Sequence, residues 1–181
     1  NIEPIWIEDL ETEINGRTKM VAAMVALFAP LRTIEKVCGS IGRPGPDDVA
    51  TIIFSSGSTG DPKGVQLTQF NLESNVEAAA QVIQCGPGDV MLGILPFFHS
   101  FGYMATLWLP VHNGLGVVYH PNPMDAGGVG ALAQSYKATI LIATPTLLQL
   151  YARRCEPRQF GSLRLVIGGA EKLPAALAQM F

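Results

Sequence analysis

Short apolar runs recur along the chain, separated by polar stretches that carry glycine and proline. Val49-Ala-Thr-Ile-Ile-Phe54, Val90 to Leu95, Gly116-Val-Val-Tyr119, Ala138 to Ala143 and Leu163 to Ile167 are rich in β-branched or large apolar residues. Runs of this kind predict buried strands. Ile5-Trp-Ile7 and Val65-Gln-Leu67 predict shorter ones. Between the runs the period changes. Behind Thr68, a good N-cap, Leu72, Val76, Ala79, Ala80 and Ile83 repeat at helical spacing and predict a helix with that face in the core. Cys85-Gly-Pro-Gly88 ends it. Arg17 to Ala29 predicts a packing helix, with Met20, Met24, Leu27 and Phe28 near one face and Pro30 as its stop. Tyr103 to Val111 predicts a helix despite Pro110, closed by Asn113-Gly114. Gly127-Gly-Val-Gly130 reads as a loop that starts a helix to Tyr136. Thr144 as N-cap and Pro145 at the first helical position open another, to Arg154.

Strands alternating with helices predict an α/β fold: a mostly parallel sheet flanked by helices on both faces. Cys38 to Asp48 is rich in glycine and proline and reads as a linker. It separates a lead-in over residues 1–47 (strand, helix and linker) from a main subdomain over residues 48–181.

Composition narrows the function. The chain has 181 residues, 48% hydrophobic and only 15% charged, with a formal net charge of −3. That balance excludes a general affinity for nucleic acid. It also implies apolar faces that meet other protein, by self-association among other routes. Cys38, Cys85 and Cys155 are odd in number and widely spaced, which argues against a disulfide framework and a Cys-x-x-Cys metal site. A reducing, cytoplasmic setting follows. His99, His112 and His120 lack metal-ligand spacing. The longest apolar run, Met20 to Leu31, contains Pro30 and falls short of the ~20 residues a membrane span needs. A chain that begins with Asn1 reads as an excised piece.

The chemistry concentrates in Ser55-Ser-Gly-Ser-Thr-Gly-Asp-Pro-Lys-Gly64, directly after an apolar run. Gly57, Gly60 and Gly64 let the backbone turn and bring N–H groups close to an anion. Ser55, Ser56, Ser58 and Thr59 add hydroxyl donors, Lys63 adds a positive charge, and Pro62 stiffens the loop beside it. Alone, a Ser/Gly run reads as a surface turn. The hydroxyl density and the lysine make it a candidate polyphosphate cradle. It is not a Walker A motif, because Lys63 follows Pro62 and precedes Gly64. Two further stretches follow strand ends, where an α/β sheet places ligands. Pro96-Phe-Phe-His-Ser-Phe-Gly102 sets a histidine among aromatics, and Gly168-Gly-Ala-Glu171 follows the last apolar run. A core histidine and an ordinary strand-to-helix turn are their plainer readings.

Phe54-Ser-Ser-Gly-Ser-Thr-Gly-Asp-Pro-Lys-Gly-Val65 resembles the phosphate-loop signature of the adenylate-forming superfamily, which contains acyl-CoA synthetases, peptide-synthetase adenylation domains and firefly luciferase. Pro96 to Phe101 and Gly168 to Leu173 resemble two further signatures of that superfamily. The likeness spans Asp48 to Phe181 and makes residues 48–181 an AMP-binding subdomain, part of the large N-terminal domain. Asn1 to Arg43 resembles the acyl–acyl-carrier-protein synthetase part of bacterial lysophospholipid acyltransferases, whose parent is membrane-associated.

The resemblance implies an ATP-dependent acid–thiol ligase. Such an enzyme activates a carboxylate, here a fatty acid, as an acyl-adenylate and passes it to CoA or acyl carrier protein. It casts Lys63, Thr59 and His99 as catalytic. Ser55, Ser56, Gly57, Ser58, Thr59, Gly60 and Lys63 hold the phosphates. Gly168, Gly169, Ala170 and Glu171 pack on the adenylate, and Phe98, His99 and Phe101 line the acyl pocket. ATP and Mg²⁺ are the implied cofactors, the metal-holding glutamate lying outside this chain, and no metal site is expected within it. The remainder of the enzyme is an implied partner, so the stretch alone is expected to be inactive. A non-catalytic nucleotide- or acyl-binding module is the alternative.

Overall fold

The computed structural model describes residues 14–39, 44–56 and 61–180. The chain divides into two compact units, Asn1–Pro44 and Gly45–Phe181. The predicted strand at Ile5-Trp-Ile7 lies outside the described residues.

In the first unit, α1 spans Gly16–Phe28. Asn15 caps it, its side chain accepting from the Thr18 N–H at 3.0 Å. α1 carries no buried residue, and Met20, Met24, Leu27 and Phe28 are all exposed. Among the described residues the predicted face is not buried. Apolar residues surround this helix rather than lying in one stripe, so its sequence selects no single inward side. Pro30 does more than stop α1. It precedes a second helix, α2, over Leu31–Val37, for which the sequence pattern gives no expectation.

The second unit opens on a hairpin. β1 (Val49–Ser56) pairs antiparallel with β2 (Pro62–Thr68), setting Phe54 opposite Gly64 and Ser55 opposite Lys63. These two strands form their own sheet. The expectation of a buried strand at Val49 to Phe54 is corrected: Val49, Ile52 and Phe54 are exposed. An apolar run of this length does not distinguish a central parallel strand from a hairpin arm.

Thr68 then caps α3 (Gln69–Ile83) in a capping box. Its hydroxyl accepts from the Asn71 N–H at 3.2 Å, and the Asn71 side chain accepts from the Thr68 N–H at 3.1 Å. Leu72 and Val76 are buried, while Ala79, Ala80 and Ile83 pack against the core from its edge. The larger sheet holds β3 (Val90–Gly93), β4 (Gly116–Tyr119), β5 (Ile140–Ala143) and β6 (Leu165–Gly168). The order is β4-β3-β5-β6 and every pairing is parallel. β3 and β5 form the centre, and Met91, Leu92, Ile140, Leu141 and Ala143 are fully buried.

The connection from β3 to β4 is α4. It begins as Ser100–Gly102, continues as a π-helix over Tyr103–Trp108 and returns to α-helix over Leu109–Asn113. Pro110 has no N–H to give to the turn before it. The Thr106 carbonyl takes its hydrogen bond from the Tyr119 hydroxyl instead, at 2.8 Å. α5 spans Ala126–Ser135, and α6 spans Pro145–Arg154 with Thr144 as its cap. Gly127, Gly128 and Gly130 lie inside α5 rather than in a loop before it, because Asp125 caps the helix by accepting from the Gly128 N–H at 3.1 Å. A 3₁₀ turn over Pro157–Phe160 follows α6, and α7 (Ala175–Ala178) closes the unit.

The amino ends of β3, β5 and β6 are tied by charge. The guanidinium of Arg164 donates to both oxygens of Asp89, from Nε at 2.7 Å and from Nη2 at 2.6 Å. The Thr139 hydroxyl and the Gly86 N–H donate to the same carboxylate at 2.7 and 3.1 Å. Arg164 beside Asp89 holds its carboxyl well below the usual carboxylate range, with help from Thr139 and Gly86. Asp89→Ala leaves these donors without their acceptor and should cost about 2–3 kcal/mol in urea denaturation. A depressed folded pKa means the stabilisation is complete above the unfolded value near ~3.9 and fades as pH falls towards the folded one. The advantage of wild type over Asp89→Asn should therefore shrink below about pH 4. An advantage unchanged between pH values of about 7 and 3 would remove this carboxylate from the acid response.

Candidate functional site

The candidate residues fall into two places. One is the hairpin, where Gly57, Ser58, Thr59 and Gly60 lie outside the described residues. What is described is its stem. Register sets Ser55 on β1 opposite Lys63 on β2, and Ser56 opposite Pro62, with both Ser55 and Lys63 exposed. Gly64 keeps the hairpin close: a Cβ there would lie 3.1 Å from the Ile52 side chain and 3.4 Å from the Phe54 ring.

The other place is the carboxyl end of the parallel sheet. β3 runs out into Ile94 and Leu95, both buried, and then into the exposed Phe97, Phe98 and His99. His99 caps the first turn of α4, its Nδ1 accepting from the Phe101 N–H at 3.3 Å. That leaves Nε2 as the protonated nitrogen of the neutral ring. Phe98 is 83% exposed, whereas Phe101 turns inward. Gly102 makes this turn feasible: a Cβ there would run into the Pro96 carbonyl, with Leu95 C at 3.0 Å.

β6 ends at Gly168, and the ladder goes one step further through the Gly169 N–H to the Ala143 carbonyl at 3.1 Å. Here the two segments meet. A Cβ on Gly169 would sit 2.7 Å from Cζ of Phe101, so the ring occupies the space a side chain would take. β5 lies between β3 and β6, so the Phe101 ring reaches across the end of the intervening strand. Behind Gly168 stand Leu173 and Leu148. Ala170 adopts a left-handed φ of +67°, and the Glu171 carboxylate accepts from the Thr146 hydroxyl at 2.7 Å.

Phe101 also forms one wall of an apolar cavity of about 150 Å³ between α3, α4 and the sheet. Val76, Ala79 and Ile83 line it from α3, Met104 and Ala105 from the π-helical turn, and Ile142 with Ile167 from the sheet floor. Asn75 is its one polar lining residue. The repeat of apolar positions on α3 marks these residues as core, and nothing in a local pattern separates core from cavity wall.

Close by, at the end of β4, the His120 Nδ1 accepts from the Asn122 N–H at 3.3 Å, so Nε2 donates to Asp125 at 3.0 Å. The Gly128 N–H and then His120 draw the Asp125 carboxyl below its ordinary range. Asp125 is thus committed to capping α5. Among the described residues no three of His, Cys, Asp and Glu come together as metal ligands, so the donor set does not fit a protein-built metal cage. Among them, too, no helix is long and apolar enough to cross a membrane.

Comparison with known proteins gives a consistent result. The family described as AMP-binding enzyme matches residues 12–181. The 4-coumarate–CoA ligase 2 of Oryza sativa subsp. japonica is 35% identical over 136 residues, 71% of this chain and 23% of that protein. The inhibitor-bound N-terminal domain of FACL13 from Mycobacterium tuberculosis matches with a TM-score of 0.69 and 28% identity, covering 77% of this chain and 35% of that one. The o-succinylbenzoate coenzyme A synthetase of Bacillus subtilis, solved with ATP and magnesium ion, matches at a TM-score of 0.67 and 28% identity, over 76% of this chain and 28% of that one. The chain spans well under half the length of each.

The Phe101–Gly169 contact has a direct test. Gly169→Ala should overpack the site and lower stability by about 1–3 kcal/mol, because the ring must leave its place. Phe101→Ala alone should also destabilise, by loss of packing. The double variant should be less destabilised than the sum of the two. Additive losses in chemical denaturation would mean that the two residues do not share that space.

Proposed function

Because the chain belongs to the AMP-binding enzyme family, we propose that it forms the phosphate-handling and acyl-recognising part of an ATP-dependent acid–thiol ligase. The observation that carries this reading is the packing of Phe101 on Gly169. It joins a segment suited to an acyl group to a backbone turn suited to a flat nucleotide base, at the carboxyl end of one parallel sheet.

In this reading ATP and a carboxylic acid are the substrates. A carboxylate oxygen attacks the α-phosphate, the bond to the β-phosphate breaks, and pyrophosphate leaves. The thiol sulfur of CoA or of acyl carrier protein then attacks the acyl carbon and loses its proton, the acyl–phosphate bond breaks, and AMP leaves. The work assigned to this chain is orientation and charge neutralisation. Lys63, with Ser55, Ser56, Ser58, Thr59 and the amides of Gly57 and Gly60, holds the departing phosphates. The Gly168–Glu171 backbone receives the adenine side. His99 and Phe101 border the acyl side. Magnesium accompanies ATP, with its protein ligands supplied from beyond this stretch, and turnover requires the parent protein. A reducing, cytoplasmic setting for the parent is part of this proposal, from the odd number and wide spacing of Cys38, Cys85 and Cys155.

The cavity behind Phe101 refines the acid. A space of about 150 Å³ with apolar walls is of the size that admits a benzene-like group. A fatty acid that fits it is short, and a compact aryl acid fits equally well.

Pyrophosphate release by the parent protein tests the reading. Lys63→Ala should slow adenylation at saturating ATP by roughly five- to a thousandfold, since one charge pair near 4 Å is worth ~1 kcal/mol in water and ~4 kcal/mol at an effective dielectric of 20. An unchanged rate removes Lys63 from the site. Phe101→Ala should shift the preference among carboxylates towards bulkier acids while leaving the KM for ATP within about twofold. A collapse of ATP affinity with no shift in preference would overturn the acyl assignment. Nucleotide binding without any pyrophosphate release would favour a non-catalytic binding module.

A further inference from the structure

Left-handed backbone at a non-glycine residue needs a reason. Among the described residues it occurs at Gln84, Lys137 and Ala170. Gln84 is the C-cap of α3, and Lys137 follows the C-cap of α5. Helix termination accounts for both. Ala170 ends no helix. It follows β6, and alanine has no side-chain hydrogen bond to offset the crowding of Cβ against the next carbonyl. Something outside the residue must hold it.

The surrounding contacts identify the holder. On one side of Ala170, Gly169 is fixed by the Ala143 carbonyl and covered by the Phe101 ring. On the other side, the Glu171 carboxylate accepts from the Thr146 hydroxyl at 2.7 Å, the side-chain tether of this turn among the described residues. Thr146 stands on a rigid base. It is the second residue of α6, flanked by the buried Pro145 and Leu147. Further along the helix Tyr151 is fully buried, and its hydroxyl donates to the Pro123 carbonyl at 2.7 Å. A fixed helix thus grips the end of a strained turn.

We propose that Thr146 is a positioning residue for the nucleotide side of the site: through Glu171 it holds the Gly168–Glu171 turn with Ala170 left-handed. This rests on the reading of that turn as the surface that receives the adenylate. The Glu171 carboxylate is then an internal anchor, and the turn meets its ligand through its backbone. Unclamped, Ala170 relaxes to negative φ and carries the amides on either side of it to new directions.

The test uses the parent protein, isotope-labelled, with AMP as the probe. Backbone amide shifts of Gly168, Gly169 and Ala170 give the AMP dissociation constant. The intraresidue HN–Hα distance of Ala170, short at positive φ, gives its geometry. Thr146→Val keeps the shape and removes the hydroxyl. It should lengthen that distance and weaken AMP about five- to tenfold, the scale of one hydrogen bond, with the Ile140–Ile142 amides unmoved. Thr146→Ser should restore both readouts. Ala170→Gly added to Thr146→Val should recover part of the AMP affinity, since glycine reaches positive φ without help. A Thr146→Val chain with unchanged Ala170 geometry overturns the clamp. Altered geometry with unchanged AMP affinity overturns the positioning role. If wild type shows no AMP-dependent shifts, the functional reading fails, and the Ala170 distance still decides whether the clamp exists.

Discussion

Burial of the central strands on both faces is the constraint from which the rest of this structure follows. β3 and β5 have no room for a polar side chain along Met91, Leu92, Ile140 and Leu141, all fully buried. In a parallel sheet every strand points the same way, so polar groups are driven to the two ends. They are sorted by role. The amino ends carry Asp89, Thr139 and Arg164, a closed network whose donors and acceptors satisfy one another. The carboxyl ends carry His99, His120, Thr146 and Glu171, on segments that leave the sheet. Stability is invested at one pole, which frees the other to be irregular.

At the irregular pole, missing side chains do as much as those present. Gly169 yields its side-chain space to Phe101, and Gly102 lets the chain turn tightly under the Pro96 carbonyl. Gly93 accommodates the ring of Tyr119 in the same way. That ring sits where its hydroxyl meets the Thr106 carbonyl inside the π-helical turn. One proline, one glycine and one tyrosine, far apart in sequence, therefore settle the course of α4. Met104 and Ala105, which line the cavity, lie on that turn. The cavity is a product of how α4 is wound rather than of a gap left in the core.

Much of this was legible before any coordinates. The Thr68 cap, the Thr144-Pro145 start of α6 and the strands at Gly116 and Ile140 follow from local rules, because caps and short buried runs are set by neighbours within a few residues. The failures share a different cause. Val49 to Phe54 is apolar enough for a central strand, yet it pairs with β2, and only the partner distinguishes the two outcomes. Gly127, Gly128 and Gly130 look like a loop, yet Asp125 draws them into a helix, and the space Gly128 leaves is filled by His120 and Asp125. Within the site, the aromatics and the glycines announced themselves by composition. Thr146 and Tyr119 did not, since each acts on a residue that only the folded chain brings near.

The same distinction bears on how the two parts of the site divide the chemistry. The hairpin stem is held by its own register, Ser55 against Lys63, and belongs to a sheet separate from the one that ends at Gly168. Phe101, Gly169, Ala170 and Glu171, by contrast, are locked to one another through β5 and α6. A group that must follow a phosphate from bound to departing state benefits from independence, whereas groups that define the place of a base and an acyl body benefit from rigidity. The apolar packing around Phe101 and the left-handed backbone at Ala170 are both costly to deform. In the function proposed above, specificity would rest on the parallel sheet and the handling of a changing charge on the hairpin.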